Sequence, residues 1–111
     1  MPPSDRDPDV LILGGAGFLG SHIAKRFLHE GHAVTVVDGL LPRTGGRTEN
    51  LEGILDEIRF LPLPVEEVDD LSGLLGAHPV IVDAMAWTSH RSALEDPLYD
   101  LRLNAASHLH V

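Results

Sequence analysis

The chain is predicted to be an α/β domain, a parallel sheet covered by helices on both faces with its strands in the order 3-2-1-4. Three observations predict it. The apolar run Val10–Leu13 leads directly into the cluster Gly14-Gly15-Ala16-Gly17-Phe18-Leu19-Gly20, and apolar residues then recur at Phe18, Leu19, Ile23, Phe27 and Leu28. A second apolar run, Ala33 to Val37, ends in Asp38. Strand-like and helix-like segments keep alternating beyond it. Such alternation favours a parallel sheet with helical crossovers. Right-handed crossovers then give the strand order.

The elements follow in turn. Met1 to Asp9 is proline-rich and acidic and is expected to be a flexible tail. Four consecutive apolar residues make Val10–Leu13 a short buried strand. The offsets of three and four from Phe18 mark one face of a helix running to Glu30, and Gly31 ends it. Ala33–Asp38 is the second strand. Gly39 to Thr48, with Pro42, Gly45 and Gly46, reads as loop, and Thr48 or Asn50 is expected to cap a short helix through Leu55. Ile58–Leu61 is the third strand, stopped by Pro62 and Pro64. Leu71, Leu74 and Leu75 suggest a short helix closed at Gly76. Val80–Ala84 is the fourth strand. Pro97 suits the first turn of a last helix, with Leu98, Leu101, Ala105 and Leu109 on one face.

Composition sets limits. The 111 residues suffice for one domain, and 43% apolar residues can build a core. The net charge of −9, from eight Lys/Arg against 17 Asp/Glu, gives no electrostatic case for nucleic acid or an anionic membrane. There are no cysteines, hence no disulfide and no thiolate metal site. His108 and His110 are two apart and fall on different sides of a helix, so no metal site is expected. The N-terminus lacks the basic start and apolar middle of a signal peptide. No apolar run approaches the roughly 18 residues of a membrane span. A cytoplasmic protein is the expectation.

The glycines carry the functional signal. A helix N-terminus presents unpaired N–H groups and a partial positive charge, which suits a diphosphate. The anion approaches only where no side chain shields the backbone. The early glycines allow the turn, and Gly20 lets the helix lie against the strand. Two spacings fit: Gly15, Gly17 and Gly20 as G-x-G-x-x-G, and Gly14, Gly17 and Gly20 as G-x-x-G-x-x-G. Asp38 stands roughly the expected 20 residues onward. Its carboxylate can accept from the adenosine ribose hydroxyls and would repel a 2′-phosphate, so NAD is favoured over NADP. The crevice at the strand ends is expected to be lined by Gly14 to Gly20, Asp38 and Ala84 to Thr88.

These residues, with Val36-Val37-Asp38-Gly39-Leu40, Glu49-Asn50-Leu51, Ser92 to Pro97 and Asn104, resemble the NAD-dependent epimerase/dehydratase family of extended short-chain dehydrogenases. Within it the nucleotide-sugar 4-epimerases look nearest. The resemblance covers nearly all of the chain after Asp9. It implies a Rossmann-type doubly wound sheet, here partial, as an NAD(P)-binding domain over residues 10–111. It also implies hydride transfer to and from a sugar carbon. The implied NAD-binding positions are Gly14, Gly17, Phe18, Leu19, Gly20, Asp38, Gly39, Leu40, Val65, Ala84, Met85 and Ala86. In the family a Tyr-x-x-x-Lys pair supplies the base. Here the single tyrosine is Tyr99 with Leu103 four positions on, so no catalytic residue is assigned. The chain is expected to carry the cofactor-binding part, inactive alone, and to meet a nucleotide sugar only when completed by a C-terminal portion. Family members often dimerise through helices that include the counterpart of the last one here, which leaves a homodimer open.

The departures are specific. Pro64 occupies the place of the acid that meets adenine in the family, which points to backbone near Val65 instead. The end of strand 4 reads Asp83-Ala84-Met85-Ala86-Trp87 in place of a His-x-Ala-Ala pattern, and Met85 is bulkier than the expected alanine. Asp83 needs a hydrogen-bonding partner. Thr88, Ser89 and His90 read as loop residues near the cofactor rather than a nucleophile cluster. Glu66, Glu67, Asp69 and Asp70 read as a solvated acidic face. Two other functions stay open: a non-catalytic NAD-binding module that pairs with another chain, and a gene fragment without function.

Overall fold

The computed structural model describes residues 7–87 and 90–111. Four parallel strands form one sheet in the order β3-β2-β1-β4, where β1 is Val10–Leu13, β2 Val34–Val37, β3 Arg59–Leu61 and β4 Val80–Asp83. The register pairs Val10 with Val34 and with Val80, and Thr35 with Arg59. Every residue of β1 and β2 is buried, as their continuous apolar runs require of strands covered on both faces. Asp9, at the end of the segment expected to be a tail, is already tied to the sheet: its N–H donates to Ala33 O and its carboxylate accepts from the Ala33 N–H.

The helix α1, Phe18–His29, crosses one face. Val10, Ile12, Val34 and Val36 meet Ala24 there, with Ile23, Phe27 and Leu28 at the margin. Leu11, Leu13 and Val37 form the opposite face and meet Val65 and the leucines of α2, Leu71–Gly76. Two layers of apolar contact thus hold β1 at the centre. Phe18 and Leu19, expected on the inner face of α1, are exposed instead. The first turn projects past the end of the sheet, so it has no strand to cover it.

Other departures are local. Thr48–Leu51 is a 3-10 turn with no side-chain cap, and a second 3-10 turn covers Leu55–Glu57. Asn50 does not cap; its Nδ2 donates to Ala16 O at 2.8 Å and to Gly45 O at 3.0 Å. The acidic face also divides. Asp70 caps α2 by accepting from the Gly73 N–H, and Glu66 lies in a 3-10 turn over Val65–Glu67. His78 is buried between layers, with Nδ1 donating to Leu74 O at 2.7 Å and Nε2 against Thr35 Oγ1 at 2.8 Å.

The C-terminal helical run comprises α3 (His90–Glu95), α4 (Pro97–Leu101), a π-turn over Arg102–Ala106 and α5 (Ser107–Leu109). The expected inner face is reversed. Leu98, Leu101 and Leu109 are exposed, whereas Leu103 and Ser107 are buried. Periodicity identified an apolar stripe, but polar anchors turned it away from the sheet. Asn104 and Tyr99 are bonded to the loops above the sheet, and Leu103 and Ser107 take the buried positions. Among the described residues no helix is long and apolar enough to cross a membrane.

Candidate functional site

The carboxyl ends of the strands open into a cleft of about 600 Å³, counting the space at its mouth. Gly14 and Gly17 line it after β1, and Asp38 and Gly39 after β2. Pro64, Val65 and Glu66 line it after β3, and Ala84, Met85 and Ala86 after β4. The crevice of a doubly wound sheet lies where the crossovers diverge, here between β1 and β4.

The glycine turn is built by contact. Gly14 has φ of +78°, a conformation that side-chain-bearing residues rarely adopt. A Cβ there would also lie 2.9 Å from the Ala84 carbonyl group and the Met85 nitrogen. A Cβ on Gly20 would overlap the Gly14 carbonyl oxygen. Gly20 is therefore absent from the cleft lining and acts behind it, letting α1 approach the turn. Gly15 packs on the Val36 side chain. Gly14, Gly17 and Gly20 are thus the turn, cleft and packing positions.

Gly17 is the N-cap of α1 and offers no side chain. The first bond inside the helix runs from the Ser21 N–H to Gly17 O at 2.9 Å. The N–H groups of Phe18, Leu19 and Gly20 precede it and have no intrahelical acceptor. The Phe18 and Leu19 side chains stand in solvent outside the cleft lining, and Phe18 packs on His22 with ring centroids 4.7 Å apart. Only their backbone is placed to meet an anion.

Asp38 is held by its own surroundings. Its Oδ2 accepts from the Ala16 N–H at 3.0 Å and its Oδ1 from the Leu40 N–H at 2.8 Å. Leu40 therefore serves through its amide and is not part of the lining. A carboxylate has about four lone-pair sites, so two remain for a ligand. The loop after Leu40 was not expected at the site, yet Leu41, Thr44, Gly45 and Gly46 line the cleft. Its Gly45-Gly46 pair was the signal available: a Cβ on Gly46 would lie 2.7 Å from Asp38 Oδ1.

A clasp pins this loop. The Arg43 guanidinium carbon sits 5.2 Å from the Trp87 ring centre and 4.8 Å from that of Tyr99. Its Nη2 donates to Asp96 Oδ2 at 3.0 Å. Trp87 Nε1 donates to Arg43 O at 2.8 Å, and the Tyr99 hydroxyl donates to Pro42 O at 2.6 Å. The Arg43 hydrogen bond, seconded by the Tyr99 N–H, holds the Asp96 carboxyl below the usual carboxylate range. Leu40 and Arg43 have φ of +51° and +64°. Such strain persists only where surrounding contacts over-determine it, and Asp38 and the clasp supply them.

Asn104 anchors the clasp from the π-turn. Its Oδ1 accepts from the Trp87 N–H at 2.7 Å and its Nδ2 donates to Trp87 O at 2.8 Å. Replacing Asn104 by alanine is expected to cost about 1–3 kcal/mol, because it orphans part-buried backbone groups. Trp87 is the single tryptophan and is buried. Its emission should shift to the red as the loop loosens. Unchanged emission and melting temperature would count against this role. Asp83, expected in a buried strand, is exposed, as is most of β4; its Oδ1 accepts from the Met85 N–H, and its Oδ2 lies 2.5 Å from His108 Nδ1. Thr88 and Ser89 lie outside the described residues, as does the side chain of His90.

Comparison with known proteins gives a consistent result. The profile of the NAD dependent epimerase/dehydratase family matches residues 10–111. A UDP-glucose 4-epimerase of Mycolicibacterium smegmatis is 36% identical over 98 residues, covering 86% of this chain and 30% of that protein. A solved UDP-N-acetylglucosamine 4-epimerase from Methanobrevibacter ruminantium, in complex with UDP-N-acetylmuramic acid, superposes with a TM-score of 0.79 at 27% identity. The match covers 94% of this chain and 32% of that one. A Thermus thermophilus UDP-glucose 4-epimerase in complex with NAD gives 0.74 at 28% identity, over 92% and 32%. The chain thus spans about 30% of the length of the relatives it matches.

Proposed function

The chain belongs to the NAD dependent epimerase/dehydratase family, and from that premise we propose that it binds NAD and forms the cofactor-binding portion of a nucleotide-sugar epimerase or dehydratase. The observation that carries the reading is the cleft itself. The side-chain-free N-cap Gly17 and Asp38 both line it, and the first-turn amides that follow Gly17 have no intrahelical acceptor. The amides of Phe18, Leu19 and Gly20 would take the diphosphate. Asp38 would accept from the adenosine ribose hydroxyls through its remaining lone pairs. Ala84, Met85 and Ala86 would lie along the nicotinamide half. Bound NAD supplies a hydride acceptor and donor.

This chain's own residues bind and orient; no Tyr-x-x-x-Lys pair stands among its 111 residues. We therefore expect these residues alone to turn over nothing. Recognition of a nucleotide sugar then rests on a further portion, in the same polypeptide or another. An adjacent reading frame that resumes with a Tyr-x-x-x-Lys segment would support this over a stand-alone NAD-binding module.

The test is calorimetric titration of the purified protein with NAD and NADP. NAD is expected to bind about tenfold or more tightly, since the 2′-phosphate meets the Asp38 charge. No heat from either at millimolar concentration would overturn the proposal.

A further inference from the structure

The loop after β2 is fastened on both sides of the cleft. It leaves the sheet at Asp38, yet Arg43 O accepts from Trp87, which follows β4, and Pro42 O accepts from Tyr99 of α4. In the sheet β2 and β4 flank β1, whose carboxyl end opens into the cleft. A segment that leaves β2 and is tied to residues beyond β4 must therefore cross the cleft. It also passes close to the front of α1, where a Cβ on Gly45 would lie 4.0 Å from the Phe18 nitrogen. We propose that residues 40–44 are a strap over the cleft, that Arg43 is its latch, and that NAD enters and leaves only when the latch opens. The inference rests on the NAD reading and adds a gate to it.

The strap is built to swing. Gly39 precedes it, and Gly45 and Gly46 follow it. A few such loop positions suffice to absorb a change of backbone angles. Beyond these hinges both ends are tied to the framework. The Asp38 N–H donates to Leu61 O at 3.2 Å, and the Arg47 N–H donates to Ala16 O at 3.0 Å. Within the strap Thr44 Oγ1 donates to Leu41 O at 2.7 Å, so it moves as one piece. The left-handed backbone of Leu40 and Arg43 favours opening, and the clasp opposes it. The latch itself stands in water: the Arg43 and Asp96 side chains are 51% and 39% exposed. A cation on rings and an ion pair in that setting are weak enough to part.

Such a latch has a kinetic signature. The side chains of Arg43, Trp87, Tyr99 and Asp96 lie outside the cleft lining, so the clasp is made alike with and without ligand. Weakening it raises the rates of entry and release together and leaves affinity level. A residue that shapes the site lowers affinity instead. The probe is NADH, whose reduced nicotinamide absorbs where Trp87, the single tryptophan, emits. Stopped-flow mixing follows the loss of that emission in wild type and Arg43→Met. Methionine keeps length and apolar packing on the rings but loses the charge. Both rates are expected to rise about fivefold, with Kd within about twofold of wild type. Asp96→Asn keeps the cap of α4 and the ring contacts, so both rates should rise by only about twofold.

A second measurement needs no ligand. The Trp87 indole N–H is held by Arg43 O, so its exchange with solvent, read by nuclear magnetic resonance, should be about fivefold faster in Arg43→Met. The Arg47 amide, at the foot of the strap, should exchange as in wild type. Weaker affinity in Arg43→Met with an unchanged association rate overturns the latch, because that side chain would then shape the site. Unchanged rates overturn it as well. Failure of wild type to bind the dinucleotide overturns the NAD reading, and indole exchange then decides the strap separately. Equal indole exchange in the two chains overturns the latch whether or not the dinucleotide binds.

Discussion

A Gly20→Ala chain is expected to melt about 10 °C lower and to lose NAD binding. The added Cβ would overlap the Gly14 carbonyl oxygen and crowd the backbone at Gly15 Cα, 2.9 Å away. Neither obstacle is the flexible end of a side chain, so the helix or the turn must move. Overpacking of this kind costs about 1–3 kcal/mol, and about 1 kcal/mol shifts the melting point of a domain this size by roughly 4–8 °C. The displacement falls on the amides that form the proposed diphosphate site, so binding fails with it. Gly17→Ala is the control. Its Cβ would meet only Gly14 O, at an ordinary 3.4 Å, so it should fold within about 1 kcal/mol of wild type, the modest penalty of alanine at an N-cap. It should still weaken NAD by placing a methyl group at the cleft. Thermal melts by circular dichroism with calorimetric titration decide it. Equal melting of Gly20→Ala and wild type would show that the turn is not packed as described.

Asp38→Ala is the second large effect, and it is expected to act on both fold and ligand. The carboxylate accepts from Ala16 in the glycine turn and from Leu40 at the start of the clasped loop. Its removal strands two part-buried N–H groups, at about 1–3 kcal/mol each. NAD affinity should fall at least about tenfold, and NADP should come level with NAD once the repelling charge is gone. Asp38→Asn separates the two roles. Its amide oxygen can still accept one of the N–H groups, so stability should lie between those of Asp38→Ala and wild type, while the discrimination against NADP is lost. Unchanged NAD affinity in Asp38→Ala would remove this residue from the site.

The two predictions draw on different layers of information. The strand–turn–helix opening was legible because its physics is local. Val10–Leu13 is apolar throughout, the glycines interrupt it, and the spacing from Phe18 is helical. The strand order followed from the handedness of crossovers, and β3-β2-β1-β4 is what the chain adopts. The same local rule failed at Phe18 and Leu19, where helical spacing was right but the sheet ended first. It failed again at Leu98, Leu101 and Leu109, which are exposed while Leu103 and Ser107 turn inward. Apolar spacing says that a helix has a face, not which partner stands beside it.

By itself the sequence determined the sheet, the position of the glycine turn and the carboxylate at the end of the second strand. Each depends on residues within a few positions of one another or on a general rule of chain handedness. Only the tertiary structure decided which polar groups meet. It joined Arg43 to Trp87, Tyr99 and Asp96 across more than forty residues. It turned the helix by way of Asn104 and left one Glu66 oxygen unpaired at the cleft. Those contacts depend on where loops return after leaving the sheet, and no periodicity in the chain encodes that return.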